Sequence, residues 1–151
     1  MPQKLADLID GLDFFQDFSY KEIETLSRYL SQTRVDKGEV IFNEGDPGSF
    51  MLILIEGRIS IYKAGENGTH LLSYEGRGRL IGEMALLDRE RRSAQCVADT
   101  PCELLTIDHE SLDRLSVEFP LLAYRFMFSL ARLLSKRLRR TSGMLAEYLT
   151  D

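Results

Sequence analysis

Four scarcities narrow what this sequence can be. Cysteine occurs only twice, at Cys96 and Cys102, too few for a disulfide-built secreted scaffold. Their spacing matches no common zinc pattern. The two flank a turn, and buried free thiols in a reducing cytoplasm are the expected state. Histidine is equally rare: His70 and His109 stand in no triad or metal-ligand pattern, so no catalytic residue, no metal ligand and no enzyme activity are expected. No run approaches the ~18 apolar residues of a membrane span. The opening MPQKLADLIDG puts acidic residues where a secretory signal needs a basic start and an unbroken apolar core. Positive charge is also short, 19 Lys+Arg against 24 Asp+Glu for a net charge of −5. That balance argues against nucleic acid as the main partner, because the phosphate backbone is bound by basic surface.

What is present describes a soluble globular chain. Its 151 residues, 44% hydrophobic and 28% charged, suit one domain able to bury roughly 68–70% of its unfolded surface. The first part is helical: Leu5, Leu8 and Ile9 form a short apolar stripe, and Leu12, Phe14, Phe15 and Phe18 an apolar connection. Ser19-Tyr20-Lys21-Glu22 reads as a capping box, followed by Ile23, Leu26 and Leu30 at helical spacing. From about Thr33 the period becomes that of strands, in Val35, Val40–Phe42, Phe50–Ile55, Ile59–Tyr62 and Leu71–Tyr74. Turn chemistry separates these runs, including Asp36-Lys37-Gly38, Glu44–Gly48, Glu56-Gly57 and Gly65–Gly68. Phe50–Ile55 is apolar at every position and should be buried on both faces. Evenly spaced short strands imply a sandwich or barrel.

The tail returns to helix. Asp108 can cap a segment containing Leu112 and Leu115, and Pro120 opens a last helix where its missing N–H does no harm. Phe126, Leu130, Leu134, Leu138, Thr141 and Leu145 form one stripe on that helix, long enough to pack on the strands first and on a partner beyond them. Arg132, Lys136, Arg137, Arg139 and Arg140 make it locally basic, as the charged outer face of an amphipathic helix would be. Gly143 weakens it by about 1 kcal/mol relative to alanine.

The most informative stretch is Gly82–Val97, GEMALLDRERRSAQCV. A glycine and a single carboxylate, Glu83, open a short apolar run; a charged loop follows, and Arg92-Ser93-Ala94 leads back into β-prone residues. Unsatisfied N–H groups at a helix start attract anions. An arginine adds a forked, permanent positive charge to the same anion. Glu83, acceptor-only when ionised, suits a hydroxyl donor. An anion carrying a free hydroxyl is the ligand class this stretch suggests.

Gly-Glu-x-Ala-Leu followed by Arg-Ser-Ala at this distance resembles the phosphate-binding cassette of the cyclic-nucleotide-binding domain family, which includes the bacterial catabolite activator. The resemblance implies an α+β fold: an eight-stranded antiparallel β-roll of the jelly-roll, double-stranded β-helix type, flanked by N-terminal helices and a long C-terminal helix. On that reading residues 1–151 are one domain, with helices over 1–32, the β-roll over 33–107, the cassette at 82–94 and helices over 108–149. It further implies that Glu83 holds the ribose 2′-OH and that Arg92 pairs with the cyclic phosphate. Ser93 and the backbone amides near Met84 and Ala85 assist, with Gly82 and Ala94 beside them. Thr141, ahead of Ser142, stands where the catabolite activator meets the base.

The departures matter as well. Arg91 replaces a frequent proline, and it and Arg92 should point apart if extended. Ile81 replaces a frequent phenylalanine, a change of packing within the same lining. Ser93 stands where threonine marks cGMP preference, which leaves cAMP favoured without excluding cGMP. The sequence ends at Asp151, so no helix-turn-helix and no direct DNA binding are expected. The function expected is a stand-alone cytoplasmic sensor of cAMP, with no further cofactor. It would dimerise through its last helix, move that helix on binding and signal through an effector protein. The alternative is an interaction or dimerisation module of the same fold that has lost nucleotide binding.

Overall fold

The computed structural model describes residues 4–150, with side chains up to Met144. A short helix α1 (Leu5–Ile9), a 3-10 turn (Asp13–Phe15) and helix α2 (Tyr20–Ser27) lead into the strands. The capping box is realised at the start of α2: Glu22 N–H donates to Ser19 Oγ at 3.2 Å, and Ser19 N–H donates to Glu22 Oε1 at 2.9 Å. Then come β1 (Ser31–Val35), β2 (Val40–Phe42), β3 (Phe50–Glu56), β4 (Ile59–Gly65), β5 (Gly68–Glu75) and β6 (Leu80–Ile81). Helix α3 (Glu83–Asp88), β7 (Gln95–Ala98), β8 (Cys102–Asp108), α4 (His109–Glu118) and α5 (Pro120–Thr150) complete the chain.

Among the described residues the eight strands form two four-stranded antiparallel sheets, ordered β1-β8-β3-β6 and β2-β7-β4-β5. This is the expected β-roll. Strand β3 shows why its sequence is apolar throughout. Met51, Ile53 and Ile55 pack with Leu105, Ile107, Phe126 and Leu130 against the helices. Leu52 and Leu54 turn the other way and pack with Ile59, Cys96, Ala98 and Leu104 between the sheets. Period-two alternation thus feeds two cores from one strand. Both cysteines are buried free thiols. Asp108 Oδ1 accepts from Ser111 N–H at 2.8 Å and caps α4, as the sequence suggests. His109 is hydrogen-bonded, its Nε2 lying 2.9 Å from the Gly48 carbonyl.

Helix α5 starts at Pro120 and continues through Gly143. The stripe read from the sequence divides along its length. Phe126 and Leu130 are fully buried in the helix-side core, Leu134 is half-buried, and Leu138 and Thr141 are exposed. The side chain of Leu145 lies outside the described residues. A second stripe faces away from the core: Leu121, Tyr124 and Phe128, which the sequence reading missed, are exposed together with Leu138. They sit at positions that a 3.5-residue repeat keeps on one face. Tyr124 and Phe128 stack there with ring centroids 6.0 Å apart. Among the described residues no helix is long and apolar enough to cross a membrane.

Candidate functional site

Strand β6 hands the chain to α3 through Gly82, whose φ of +82° lies in the left-handed region. Glycine enters that region without a Cβ penalty. A Cβ here would also run into the guanidinium of Arg92. The next residue, Glu83, begins α3 and is buried. The helix is pressed against the β2–β3 loop at Gly48, where an added Cβ would overlap the Cβ of Ala85. The left-handed glycine and the close approach place the first turn of α3 in the wall of a cavity of about 380 Å3.

Arg92 enters the same cavity from the far end of the cassette. Its backbone is fixed by two bonds to the β2–β3 loop, Arg92 N–H to Asp46 O and Gly45 N–H to Arg92 O, both at 2.8 Å. Arg91 is exposed and donates from Nη1 to Gly45 O at 2.8 Å, though it too borders the cavity. The Arg92 side chain is buried, only 4% exposed. Its guanidinium lies over the rings of Phe42 and Phe50, 4.1 and 4.7 Å from their centroids. Nη2 donates to Phe50 O at 2.6 Å and Nη1 to Gly82 O at 3.4 Å, while Nε has no partner. Among the described residues no carboxylate forms an ion pair with it. Burial lowers its pKa from the ordinary arginine value; even so, arginine does not deprotonate in proteins. The outcome is a desolvated positive charge hydrogen-bonded to neutral carbonyls and resting on aromatic faces, with Asp46 and Glu83 acting on it from beyond ion-pair distance.

Glu83, the carboxylate of the cassette, is paired elsewhere. It accepts from Nη1 of Arg137 on α5, and Nη2 of Arg137 donates to Leu80 O at 3.2 Å. Burial lowers the Arg137 pKa as well, against the opposing pull of Glu83. The sequence reading placed Arg137 on a basic outer face and missed this role. A signal was nonetheless present: Phe126, Leu130, Leu133 and Arg137 are spaced 4, 3 and 4, so Arg137 continues the inward stripe.

Of the ten expected site residues, Ile81, Gly82, Glu83, Met84, Ala85, Arg92, Ser93 and Ala94 line this one cavity. The structure does not bring Thr141 and Ser142 into the lining; both are exposed. Thr141 Oγ1 instead donates to the Arg137 carbonyl one helical turn back, at 3.0 Å. Three further polar side chains line the same cavity, namely Ser73 and Glu75 of β5 and Arg79 of the following turn. Phe42, Ile61 and Leu80 supply apolar surface. Among the described residues no cluster of three or more histidine, cysteine or carboxylate side chains could hold a metal ion. The cavity offers a cationic end, a carboxylate acceptor and an apolar floor, features that suit a small anionic ligand.

Comparison with known proteins agrees with this geometry. The model of the cyclic nucleotide-binding domain matches residues 32–118. The chain is 32% identical over 130 residues to the cyclic AMP receptor protein of Thermus thermophilus, covering 85% of this chain and 58% of that protein. It is 27% identical to the CRP-like cAMP-activated global transcriptional regulator of Mycobacterium tuberculosis, covering 95% of this chain and 62% of that one. The chain thus spans less than two thirds of the length of these curated relatives. A crystal structure of a cyclic nucleotide-binding domain from Methylobacillus flagellatus superposes with a TM-score of 0.82 at 27% identity, over 95% of this chain and 81% of that one. The chain belongs to the cyclic nucleotide-binding domain family.

Proposed function

We propose that this chain is a regulatory sensor whose ligand is a 3′,5′-cyclic nucleotide, cAMP ahead of cGMP. One observation carries the reading: Arg92 is a buried cation with no ion-pair partner among the described residues, at the edge of a cavity that also holds Glu83. Burying an unpaired charge is costly, and a ligand phosphate would supply the missing partner. In this reading Arg92 turns its fork to the cyclic phosphate, with the Ser93 hydroxyl and the first amides of α3 around the remaining oxygens. Glu83 accepts the ribose 2′-OH, the one ribose hydroxyl such a ligand has free. Serine at position 93 favours cAMP, and the named cAMP-responsive relatives support the same choice.

Binding reaches α5 through Arg137. A ribose hydroxyl competing for Glu83 loosens the hold of the cassette on the helix, and α5 shifts to cover the base through Thr141. The shift carries a signal only if the ligand prefers the rearranged state. The exposed stripe Leu121–Tyr124–Phe128–Leu138 favours a homodimer built about α5, and an effector protein reads the change. Two unpaired buried thiols suit a reducing compartment such as the cytoplasm. The same stripe also favours the second reading, an association module without a ligand.

Calorimetric titration of nucleotide-stripped protein with cAMP and cGMP separates the two. Saturable binding at micromolar concentration or below, tighter for cAMP, supports the sensor. No heat with either nucleotide leaves the association module.

A further inference from the structure

Three arginines and a lysine line a second cavity, of about 230 Å3, between the N-terminal 3-10 turn and α5. Arg79 borders it from the turn before β6, and Arg132, Lys136 and Arg137 border it from α5. The carboxylates in the lining are Asp13 and Asp17, both exposed. Four cations thus stand against two acids, and part of the positive charge is loosely held. Arg79 pairs with Glu75 and Arg137 with Glu83, carboxylates outside this lining. Arg132 has only Asp17, at 3.4 Å, and their side chains are 55% and 72% exposed, a setting in which an ion pair is weak. Lys136 forms no ion pair among the described residues. Arg137 has a donor to spare, since its Nε is buried and without a hydrogen-bond partner.

Arginine meets a phosphate as a planar fork and lysine as a mobile point charge. Arg132 and Lys136 stand four positions apart, on one face of α5, so one phosphoryl group can meet both. Asp13 forms no ion pair among the described residues either, which leaves an acceptor for a hydroxyl in the same lining. The volume lies below the range of about 300–1,000 Å3 typical of drug-sized ligands, and suits a phosphate on a short carbon chain better than a second nucleotide. We infer that this cleft is a second anion site, which takes a small hydroxyl-bearing phosphate ester. Arg132 and Lys136 hold the phosphoryl oxygens, and Asp13 accepts from the hydroxyl. The site is joined to the nucleotide cavity, because Arg79, Leu80 and Arg137 line both. A phosphate that draws on the Arg137 guanidinium slackens its bond to Glu83 and frees that carboxylate for the ribose. This coupling rests on the nucleotide-sensor reading above; the anion site itself does not.

The test is thermal melting of nucleotide-stripped wild type, the double variant Arg132→Ala/Lys136→Ala, and Arg92→Ala. Each is titrated with glycerol 1-phosphate or inorganic phosphate, against sodium chloride at equal ionic strength. In wild type the ester, at about ten times its dissociation constant, should raise the melting temperature by about 3–6 °C. Arg92→Ala should keep that rise and the double variant should lose most of it. The reverse pattern would place the phosphate on the cassette, and an equal rise in all three would be an unspecific ionic effect. Either result, or no rise in wild type, overturns the inference. Tighter binding of inorganic phosphate than of the ester would make the free ion the ligand and overturn the role of Asp13. Calorimetry with cAMP reads the coupling: the ester should raise cAMP affinity about fivefold more in wild type than in the double variant. An equal effect in the two proteins overturns the coupling. If the ester stabilises wild type but cAMP does not bind, the sensor reading fails and the anion site stands. Both alanines replace exposed helix residues, where alanine is the best helix former, and far-ultraviolet circular dichroism confirms that the variants are folded.

Discussion

Glu83 and Arg137 form a partly buried ion pair between residues 54 positions apart, joining the first turn of the cassette helix to the long C-terminal helix. Removing one partner of such a pair leaves the other desolvated and unmatched. Arg137→Ala should therefore destabilise the fold by about 1–3 kcal/mol. The lower end is expected, because the Arg137 side chain keeps 24% of its exposure. Adding Glu83→Gln to Arg137→Ala should restore part of that loss, so that a double-mutant cycle in urea shows a favourable coupling. Strictly additive effects would mean that the contact carries no stability.

Gly82 serves both the backbone and Arg92. Alanine at φ +82° is strained by about 1–2 kcal/mol, and its Cβ would push the Arg92 guanidinium off its rest between Phe42 and Phe50. Gly82→Ala should lower cAMP affinity by at least about tenfold, 1.4 kcal/mol, with only a modest drop in melting temperature. Unchanged affinity would show that Arg92 does not depend on this approach.

The thiols offer a check on the inter-sheet core. Burial pushes the Cys96 thiol up to about 12, and Cys102 is 2% exposed with its Sγ 3.2 Å from Thr100 O. Since only the thiolate attacks, Ellman's reagent at pH 8 should consume neither thiol in the folded protein and both after denaturation. A fast-reacting thiol in native buffer would contradict the packing.

Asp108 links stability to pH. The Ser111 backbone N–H it accepts holds its carboxyl below the usual aspartate range. A depressed folded pKa contributes stability that is complete above the unfolded value of about 3.9 and fades as pH falls through the folded one. Asparagine caps without titrating. The stability lead of wild type over Asp108→Asn should thus be greatest near pH 7 and shrink below about pH 4. Urea midpoints at pH 7, 5 and 3 measure it; a pH-independent difference would contradict the assignment.

What the sequence disclosed, and what it hid, follows from how local each signal is. The capping box at Ser19 and Glu22, the Asp108 cap and the doubly buried strand β3 are set by residues within a few positions of one another. So is the cassette, where a glycine, a carboxylate and an arginine sit within about a dozen positions. Strand β6, only Leu80–Ile81, was not announced, because two residues are too few to show a period. Arg137 looked like one of five solvated charges, and only its phase with Phe126, Leu130 and Leu133 marks it as inward. Ser73 falls within the expected strand Leu71–Tyr74 and Glu75 just beyond it, and their place in the cavity lining depends on residues distant in sequence. Thr141 lies on the expected helix, but its hydroxyl satisfies that helix rather than the cavity.

The central claim is that Arg92 is a charge held for a phosphate. Its most direct test is isothermal titration of nucleotide-stripped wild type and Arg92→Ala with cAMP under identical conditions. The account predicts saturable binding by wild type and a loss of about 2–5 kcal/mol in the variant, whose bound phosphate would have no cationic partner. Equal affinities in the two proteins would contradict it.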